Sequence, residues 1–418
     1  MAPTRNVAYI LTHLLLKVAP REHAEQVEFK KRFEEDYGPL EMTEEDRVAA
    51  ENKGPEWSAQ FEGNHDDNFL LGLNFSRRCF KMYADFYKSD IIVASPLGLK
   101  RVIGESLEAK ERKQQKALQA GKMNQRSSKG DSDFLSSIEM VIVDSCDVLH
   151  MQNWDHLNLV FEHLNLLPKE AHDTDFSRVR PWCLDGQAKH FRQTVLFSAF
   201  KTAEQNSLFS RYCWNRMGTL RLTSTDPLVA RGSITRVIPK VKQMFQKIGE
   251  CPSSVGLDDA RFAFFSQRVY PRLKSTNQTR TIIFIPSYFD YVRVRNLFDT
   301  EEYGKLSFGL ICEYSERKEV AQHRLDFITG RISFLLVTER FYFFNRYLIK
   351  GAHHVILYSL PLYPSTYSGV LNWLPSQEQA TALILYCLPF DQFQLEGVVG
   401  SKRALQMAES TRDTHVIV

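Results

Sequence analysis

Short runs of β-branched, aliphatic and aromatic residues recur along the chain, each followed by a turn and then by apolar positions at helical spacing. This order predicts alternating strands and helices with parallel sheets. Strands are expected at Asp90–Ala94, Glu139–Asp144, Thr194–Ser198, Thr281–Ile285, Ser307–Cys312, Ser333–Thr338, His353–Tyr358 and Thr381–Cys387. Most are nearly continuous apolar runs, the pattern of strands buried on both faces. Helices are expected at Trp154–Leu166, Asp258–Tyr270, Phe289–Thr300 and Ser315–Thr329. The last two begin near helix-starting polar residues, and Gly330 stops the final one. Tyr9–Val18 is apolar but carries His13 and Lys17, so it reads as a buried or amphipathic helix with some of Leu11, Leu14, Leu15 and Leu16 facing a core.

Two segments break the alternation. Arg21–Asp67 is acidic and polar. Glu105–Asp133 has little apolar face and holds Lys110, Arg112, Lys113, Lys116, Lys122, Arg126 and Lys129, which reads either as a mobile exposed insert or as an electrostatic arm for RNA or an acidic partner. Thr225–Pro252 mixes Gly, Pro and polar residues, and the boundary between two α/β domains, 1–228 and 229–418, is placed there. A chain of 418 residues with 43% hydrophobic positions has material for two cores. The net charge of +3 is too mild to indicate nucleic-acid binding alone, so local clusters must decide. Seven scattered cysteines without a C-x-x-C pair suggest neither a disulfide framework nor a zinc site. No apolar run approaches the length that spans a bilayer, and no membrane association is expected.

A RecA-type motor needs G-x-x-x-x-G-K-[ST] to cradle phosphates, and this string does not occur. Other stations of a helicase stand in the right order. Ala2-Pro3-Thr4-Arg5 resembles the P-T-R motif of DEAD-box proteins, and Ser95-Pro96-Leu97-Gly98 resembles T-P-G-R without its arginine, with Lys100 and Arg101 close by. Val141-Ile142-Val143-Asp144-Ser145-Cys146-Asp147 occupies the place of the D-E-A-D box. Ser145 replaces the glutamate that would polarise attacking water. Leu196-Phe197-Ser198-Ala199-Phe200 resembles S-A-T, and Thr338-Glu339-Arg340 resembles a T-D station. The stretch Tyr363–Leu374, where arginine fingers should follow, contains no arginine.

A more specific resemblance runs from the first residues nearly to the last. Its strings are Pro3-Thr4-Arg5-Asn6-Val7-Ala8-Tyr9, Ser89–Gly98, Asp133–Glu139, Asp175-Phe176-Ser177-Arg178, Phe191-Arg192-Gln193-Thr194, Ile285–Asn296, Thr338-Glu339-Arg340-Phe341, Arg346-Tyr347 and Gly400-Ser401-Lys402-Arg403. On these the chain resembles the digestive-organ expansion factor family, also called U3 small nucleolar RNA-associated protein 25, a degenerate DEAD-box-like family. The resemblance implies two RecA-like domains with mainly parallel sheets, the first truncated at its N-terminus. It implies no ATPase and no cofactor, residence in the nucleus and nucleolus, and a part in pre-ribosomal RNA processing. The implied partners are small-subunit processome proteins, U3 small nucleolar RNA and pre-ribosomal RNA. The alternative is an ATP-dependent RNA helicase whose phosphate loop lies on an upstream segment.

The candidate RNA-binding residues are Thr4, Arg5, Ser95 and Gly98 in the first domain and Arg293, Arg295, Arg317 and Lys318, with Arg324, in the second. Their bland readings are helix or turn caps and a solvated helix face. Asp144 and Asp147 read as structural carboxylates at a strand end rather than metal ligands. His353 and His354 point to opposite faces of a strand and cannot easily share an ion. Phe341, Tyr342, Phe343, Phe344 and Tyr347 read as core, with partner docking as the alternative.

Overall fold

The structure is a computed structural model in which the chain divides into two units, Met1–Arg221 and Leu222–Val418. It describes residues 1–40, 53, 57, 61–77, 79–104, 132–170, 175, 177, 179–223, 231–249, 251, 253–276, 278–300, 306–376 and 380–418. The basic stretch Lys110–Lys129 lies outside the described residues, as do 224–230 at the expected boundary.

In the first unit, β1 (Val27–Glu28), β2 (Leu70–Phe75), β3 (Phe80–Met82) and β4 (Ile91–Ala94) form one sheet in the order β1-β3-β2-β4. It is a mixed sheet, which departs from the expected parallel one: β2 runs antiparallel to both β3 and β4. Only the short link 76–79 joins β2 to β3, and a link that short can make a hairpin but not a crossover. The segment set aside as off-pattern supplies β1 and the helix Lys30–Tyr37. Phe33 and Tyr37 of that helix are buried, and Phe33 stacks on Tyr9 of the helix Arg5–Val18 at 5.6 Å. Leu14, expected as a possible core residue, is half exposed, while Ala8 and Thr12 face inward.

β5 (Met140–Val143) and β6 (Gln193–Leu196) pair in parallel as a second, two-stranded sheet. Both were expected as strands, in a set read as mostly buried on two faces. Instead Val141 and Val143 are buried while Met140 and Ile142 are exposed, because only one face meets the core of Leu149, Leu157, Val160 and Phe161. The helix Cys146–His163 begins eight residues before the expected start. Its backbone bends at Asn153, whose side chain accepts from the Asp155 amide and so restarts the helix where the pattern placed it.

The second unit holds β7 (Lys242–Lys247), β8 (Thr281–Ile285), β9 (Phe308–Ile311), β10 (Phe334–Thr338), β11 (His354–Leu357), β12 (Thr381–Tyr386) and β13 (Thr414–Ile417). The sheet order is β13-β7-β12-β11-β8-β10-β9, parallel throughout except that β13 runs against β7. Every residue of β8 and β10 is buried. Their side chains divide with period two: Ile282, Phe284, Leu335 and Val337 enter one core cluster, and Ile283, Ile285, Phe334 and Leu336 the other. Val320 and Phe327 of the helix Arg317–Thr329 join the first cluster; Tyr291, Val294 and Phe298 of the helix Tyr288–Asp299 join the second. Helices therefore cover both faces, as continuous apolar strands require. Gly330, in the left-handed region at φ 77°, ends the helix Arg317–Thr329 as expected.

The expected helix Asp258–Tyr270 is a composite: an α-helix Leu257–Phe264, a π turn Phe265–Val269 and a further helix Tyr270–Ser275. Within it Arg261 is buried and its Nη2 donates to Asp391 Oδ1 at 2.5 Å, while Asp391 Oδ2 accepts from the Cys387 amide at 2.7 Å. Burial raises the Asp391 carboxyl, against the pull of Arg261. Removing one partner strands the other charge in the interior. Arg261→Ala is expected to lower the unfolding free energy by roughly 3–5 kcal/mol in a urea titration followed by circular dichroism.

Candidate nucleic-acid interface

The Thr4 hydroxyl accepts from the Val7 amide at 3.4 Å and caps the helix Arg5–Val18. Arg5 is held at all three guanidinium nitrogens: Nε pairs with Asp66 at 2.8 Å, Nη1 donates to the Asp36 carbonyl and Nη2 to the Asn68 carbonyl. Its guanidinium also lies 5.1 Å from the Tyr37 ring centre. Ser95 Oγ accepts from the Gly98 amide at 2.9 Å and so caps the helical residues 96–104. At Gly98 a Cβ would stand 2.2 Å from the Phe69 carbonyl oxygen, so only glycine allows that approach.

Two of these residues meet at one place. Arg5 and Gly98 line an open cleft of about 360 Å³ together with Arg32, Asp36, Tyr83 and Arg101, while Thr4 and Ser95 are buried caps outside its lining. Arg32 covers the Tyr83 ring at 4.1 Å, and the Tyr83 hydroxyl donates to Asp36 at 2.7 Å. Burial and the Asp36 hydrogen bond raise the Tyr83 phenol. Arg101 is exposed and makes no hydrogen bond or ion pair among the described residues. Sequence reasoning noted Arg101 but missed Arg32, because the helix Lys30–Tyr37 is too polar to show an apolar stripe.

In the second unit Arg293 pairs with Asp259 at 2.7 Å and lies over the Phe262 ring, and Arg295 donates to the Asn296 amide oxygen. Arg324 donates to the Leu348 carbonyl and covers Tyr347. Arg317 and Lys318 stand exposed in the first turn of their helix, without an ion pair among the described residues. The two pairs sit on different helices, whose starts approach through a Tyr288–Tyr314 ring contact at 5.1 Å.

At the D-E-A-D station Asp144 directly follows β5 and Ser145 adopts the left-handed region at φ 51°. The Ser145 hydroxyl donates to Asp144 Oδ2 at 3.2 Å. Asp147 Oδ1 accepts from the Ala199 amide, so the Ser198–Phe200 segment is tied to the same turn. The T-E-R station is structural as well. Thr338 caps the helix Glu339–Asn345, and the buried Glu339 accepts from the Leu362 and Tyr363 amides. Phe341, Tyr342 and Phe343 of that helix are core. His354 contacts the Thr381 hydroxyl, and among the described residues no three His, Cys, Asp or Glu side chains converge as metal ligands. No described helix is long and apolar enough to cross a membrane.

Fold and site together define a two-unit α/β protein with helicase-type stations set at strand ends. Family models match both parts: "UTP25, NTP hydrolase-like domain" over residues 1–220 and "Utp25, C-terminal domain" over residues 233–417. The chain belongs to the UTP25 family. It is 40% identical to the "U3 small nucleolar RNA-associated protein 25 homolog" of Xenopus tropicalis, across 93% of this chain and 48% of that protein. It is 38% identical to the homolog of the same name in Homo sapiens, across 100% of this chain and 52% of that protein. The chain thus spans about half the length of these curated relatives. A solved structure titled "S. cerevisiae Dbp5 bound to RNA and ADP BeF3" is similar at 15% identity, covering 78% of this chain and 65% of that one with a TM-score of 0.31.

Burial raises the Glu339 carboxyl from 4.5 to about 7, against the two amide hydrogen bonds that favour its charge. Between those values the folded unit holds a proton that the unfolded chain has released, so stability falls as pH rises through this window. The decline is expected to reach roughly 3 kcal/mol. Urea midpoints measured across the same range should show this slope, and Glu339→Gln should remove it.

Proposed function

We propose that the chain is a non-catalytic, helicase-like scaffold acting in the nucleolus during small-subunit processome assembly and pre-ribosomal RNA processing. It binds U3 small nucleolar or pre-ribosomal RNA and processome proteins through its two α/β units. The relatives named for association with U3 small nucleolar RNA support the setting. The observation that carries the non-catalytic part is Ser145, whose hydroxyl is hydrogen bonded to Asp144 where a water-polarising carboxylate would be required. The arginine-free stretch Tyr363–Leu374 adds to it, since arginine fingers contribute roughly 10³ to 10⁵ in rate.

A second reading is an ATP-dependent RNA helicase whose phosphate loop lies outside this chain. The description of the first family model as NTP hydrolase-like and the Asp147–Ala199 link between the D-E-A-D-like and S-A-T-like stations favour it. RNA-stimulated ATP hydrolysis by the full-length protein separates the two. The scaffold reading expects the same background rate for wild type and Asp144→Ala; turnover that Asp144→Ala abolishes rejects it. RNA crosslinking in cells tests the partners: recovery of neither a ribosomal precursor nor a small nucleolar RNA makes a protein-only adaptor the better account.

The cleft lined by Arg5, Gly98 and Arg101 is the proposed RNA contact of the first unit. Arg101, which makes no ion pair among the described residues, is its phosphate ligand. Arg101→Ala is expected to weaken binding of single-stranded RNA evenly across sequences. It should also flatten the dependence of log affinity on log salt by about 0.7, as read by fluorescence anisotropy at several salt concentrations.

A further inference from the structure

The first unit carries a second surface, separate from the cleft and from every helicase-type station, where aromatic rings and cations interleave. Trp182 and Phe191 stack with centroids 4.7 Å apart and an interplanar angle of 21°. The Arg180 guanidinium lies 5.4 Å from the Trp182 ring centre and that of Arg216 lies 5.6 Å from Phe191, one cation on each ring of the pair. Beside them the Lys189 ammonium sits 4.2 Å from the Trp214 ring, which the His190 ring also approaches at 5.9 Å.

The backbone beneath this surface is stitched into a fixed frame. The Arg216 amide donates to the His190 carbonyl, the Asn215 side chain to the Arg192 carbonyl, and the Gln187 amide to the Trp182 carbonyl. Arg192 is the anchor. It is only 3% exposed and donates to Asn165 at 2.8 Å and to the Tyr212 carbonyl at 2.6 Å. Its neighbour Phe191 is thereby turned outward, 38% exposed, and Trp214 is 45% exposed.

Charge decides what such a surface fits. Arg180 has a carboxylate partner, Glu139 at 3.1 Å, with both side chains more than half exposed, and Asp185 and Glu204 are exposed acids between Arg180 and Arg216. Lys189 and Arg216 make no ion pair among the described residues. An apolar protein partner covering Phe191 and Trp214 would desolvate these cations without compensation, which is costly. A single nucleic-acid strand offers both complements at once: bases that stack on aromatic and guanidinium planes, and phosphates that pair with Lys and Arg.

We propose that Trp182, Phe191 and Trp214, with Arg180, Lys189 and Arg216, form a binding site for single-stranded RNA in which bases stack on the exposed rings and phosphates pair with Lys189 and Arg216. The choice of RNA over DNA rests on the function proposed above; the stacking geometry does not.

The test uses the intact chain, with fluorescein-labelled 12-nucleotide oligouridine as probe and anisotropy as the readout. Trp214→Ala and the pair Lys189→Ala/Arg216→Ala are each expected to weaken binding about tenfold. Their urea midpoints should match wild type, because these side chains project from the frame. Quenching of tryptophan fluorescence by the oligonucleotide should diminish in Trp214→Ala, a change that a purely structural role would not produce. Unchanged affinity in both variants, with binding lost in Arg101→Ala, overturns this site and leaves the RNA-scaffold reading standing. No binding by wild type overturns both. Oligodeoxyuridine bound as tightly as oligouridine overturns the RNA choice, and displacement of the probe from wild type but not from Trp214→Ala by an equimolar acidic peptide assigns the surface to a protein partner instead.

Discussion

Every strand that runs into a helix leaves backbone amides without partners, and meeting that demand organises much of this protein. Thr4 accepts from Val7, Ser95 from Gly98, Thr202 from Gln205, Ser287 from Asp290 and Thr338 from Phe341, each hydroxyl serving the amide three residues on. Three of them, Thr4, Ser95 and Thr338, are among the residues that make the chain look like a helicase in one dimension. Their first duty is to hold strand-to-helix turns in place, and that duty persists whether or not phosphate chemistry is performed nearby. It also explains why the exposed charge of the cleft comes from Arg32 and from Arg101, six residues past Ser95, while Thr4 and Ser95 are themselves enclosed.

The second unit was the more legible in sequence because its strands are buried on both faces. Thr281–Ile285 came out residue for residue, and Ser333–Thr338 and Thr381–Cys387 within one residue. β7 escaped because Lys242 and Lys247 flank it and its polar Gln243 is buried through a hydrogen bond from the Tyr367 hydroxyl. β13 escaped because it lies at the sheet edge with alternately exposed residues. In the first unit β2 and β3 were missed since Gly72 and Asn74 interrupt one and the other has three residues. No local pattern distinguishes such strands from loops; pairing across the hairpin makes them.

Site legibility followed a different rule. Motif residues were found because their order along the chain carries information that composition does not. Residues whose importance is purely spatial were missed, as with Arg32 on a charged helix and Arg261 locked to Asp391, or quoted without a role, as with Arg192 beneath the aromatic surface. A buried arginine and an exposed one look alike in sequence. Only the tertiary structure says that Arg192 and Arg261 are braces while Lys189 and Arg216 make no ion pair among the described residues.

Fold and chemistry therefore answer to separate demands in this chain. The turn Asp144-Ser145-Cys146-Asp147 keeps its architecture through links internal to the protein: the Cys146 amide donates to the Phe197 carbonyl, the Cys146 thiol is buried with its pKa pushed up to about 12, and Asp147 accepts from the Ala199 amide. None of these links uses the side chain at position 145. A glutamate there could be exchanged for serine without disturbing the packing, so loss of turnover would meet no structural resistance. The same logic applies to the two proposed binding surfaces. Arg101, Lys189, Arg216 and Trp214 contribute little to either core, so selection on them, unlike selection on Thr338 or Glu339, reports what the protein holds rather than how it stands.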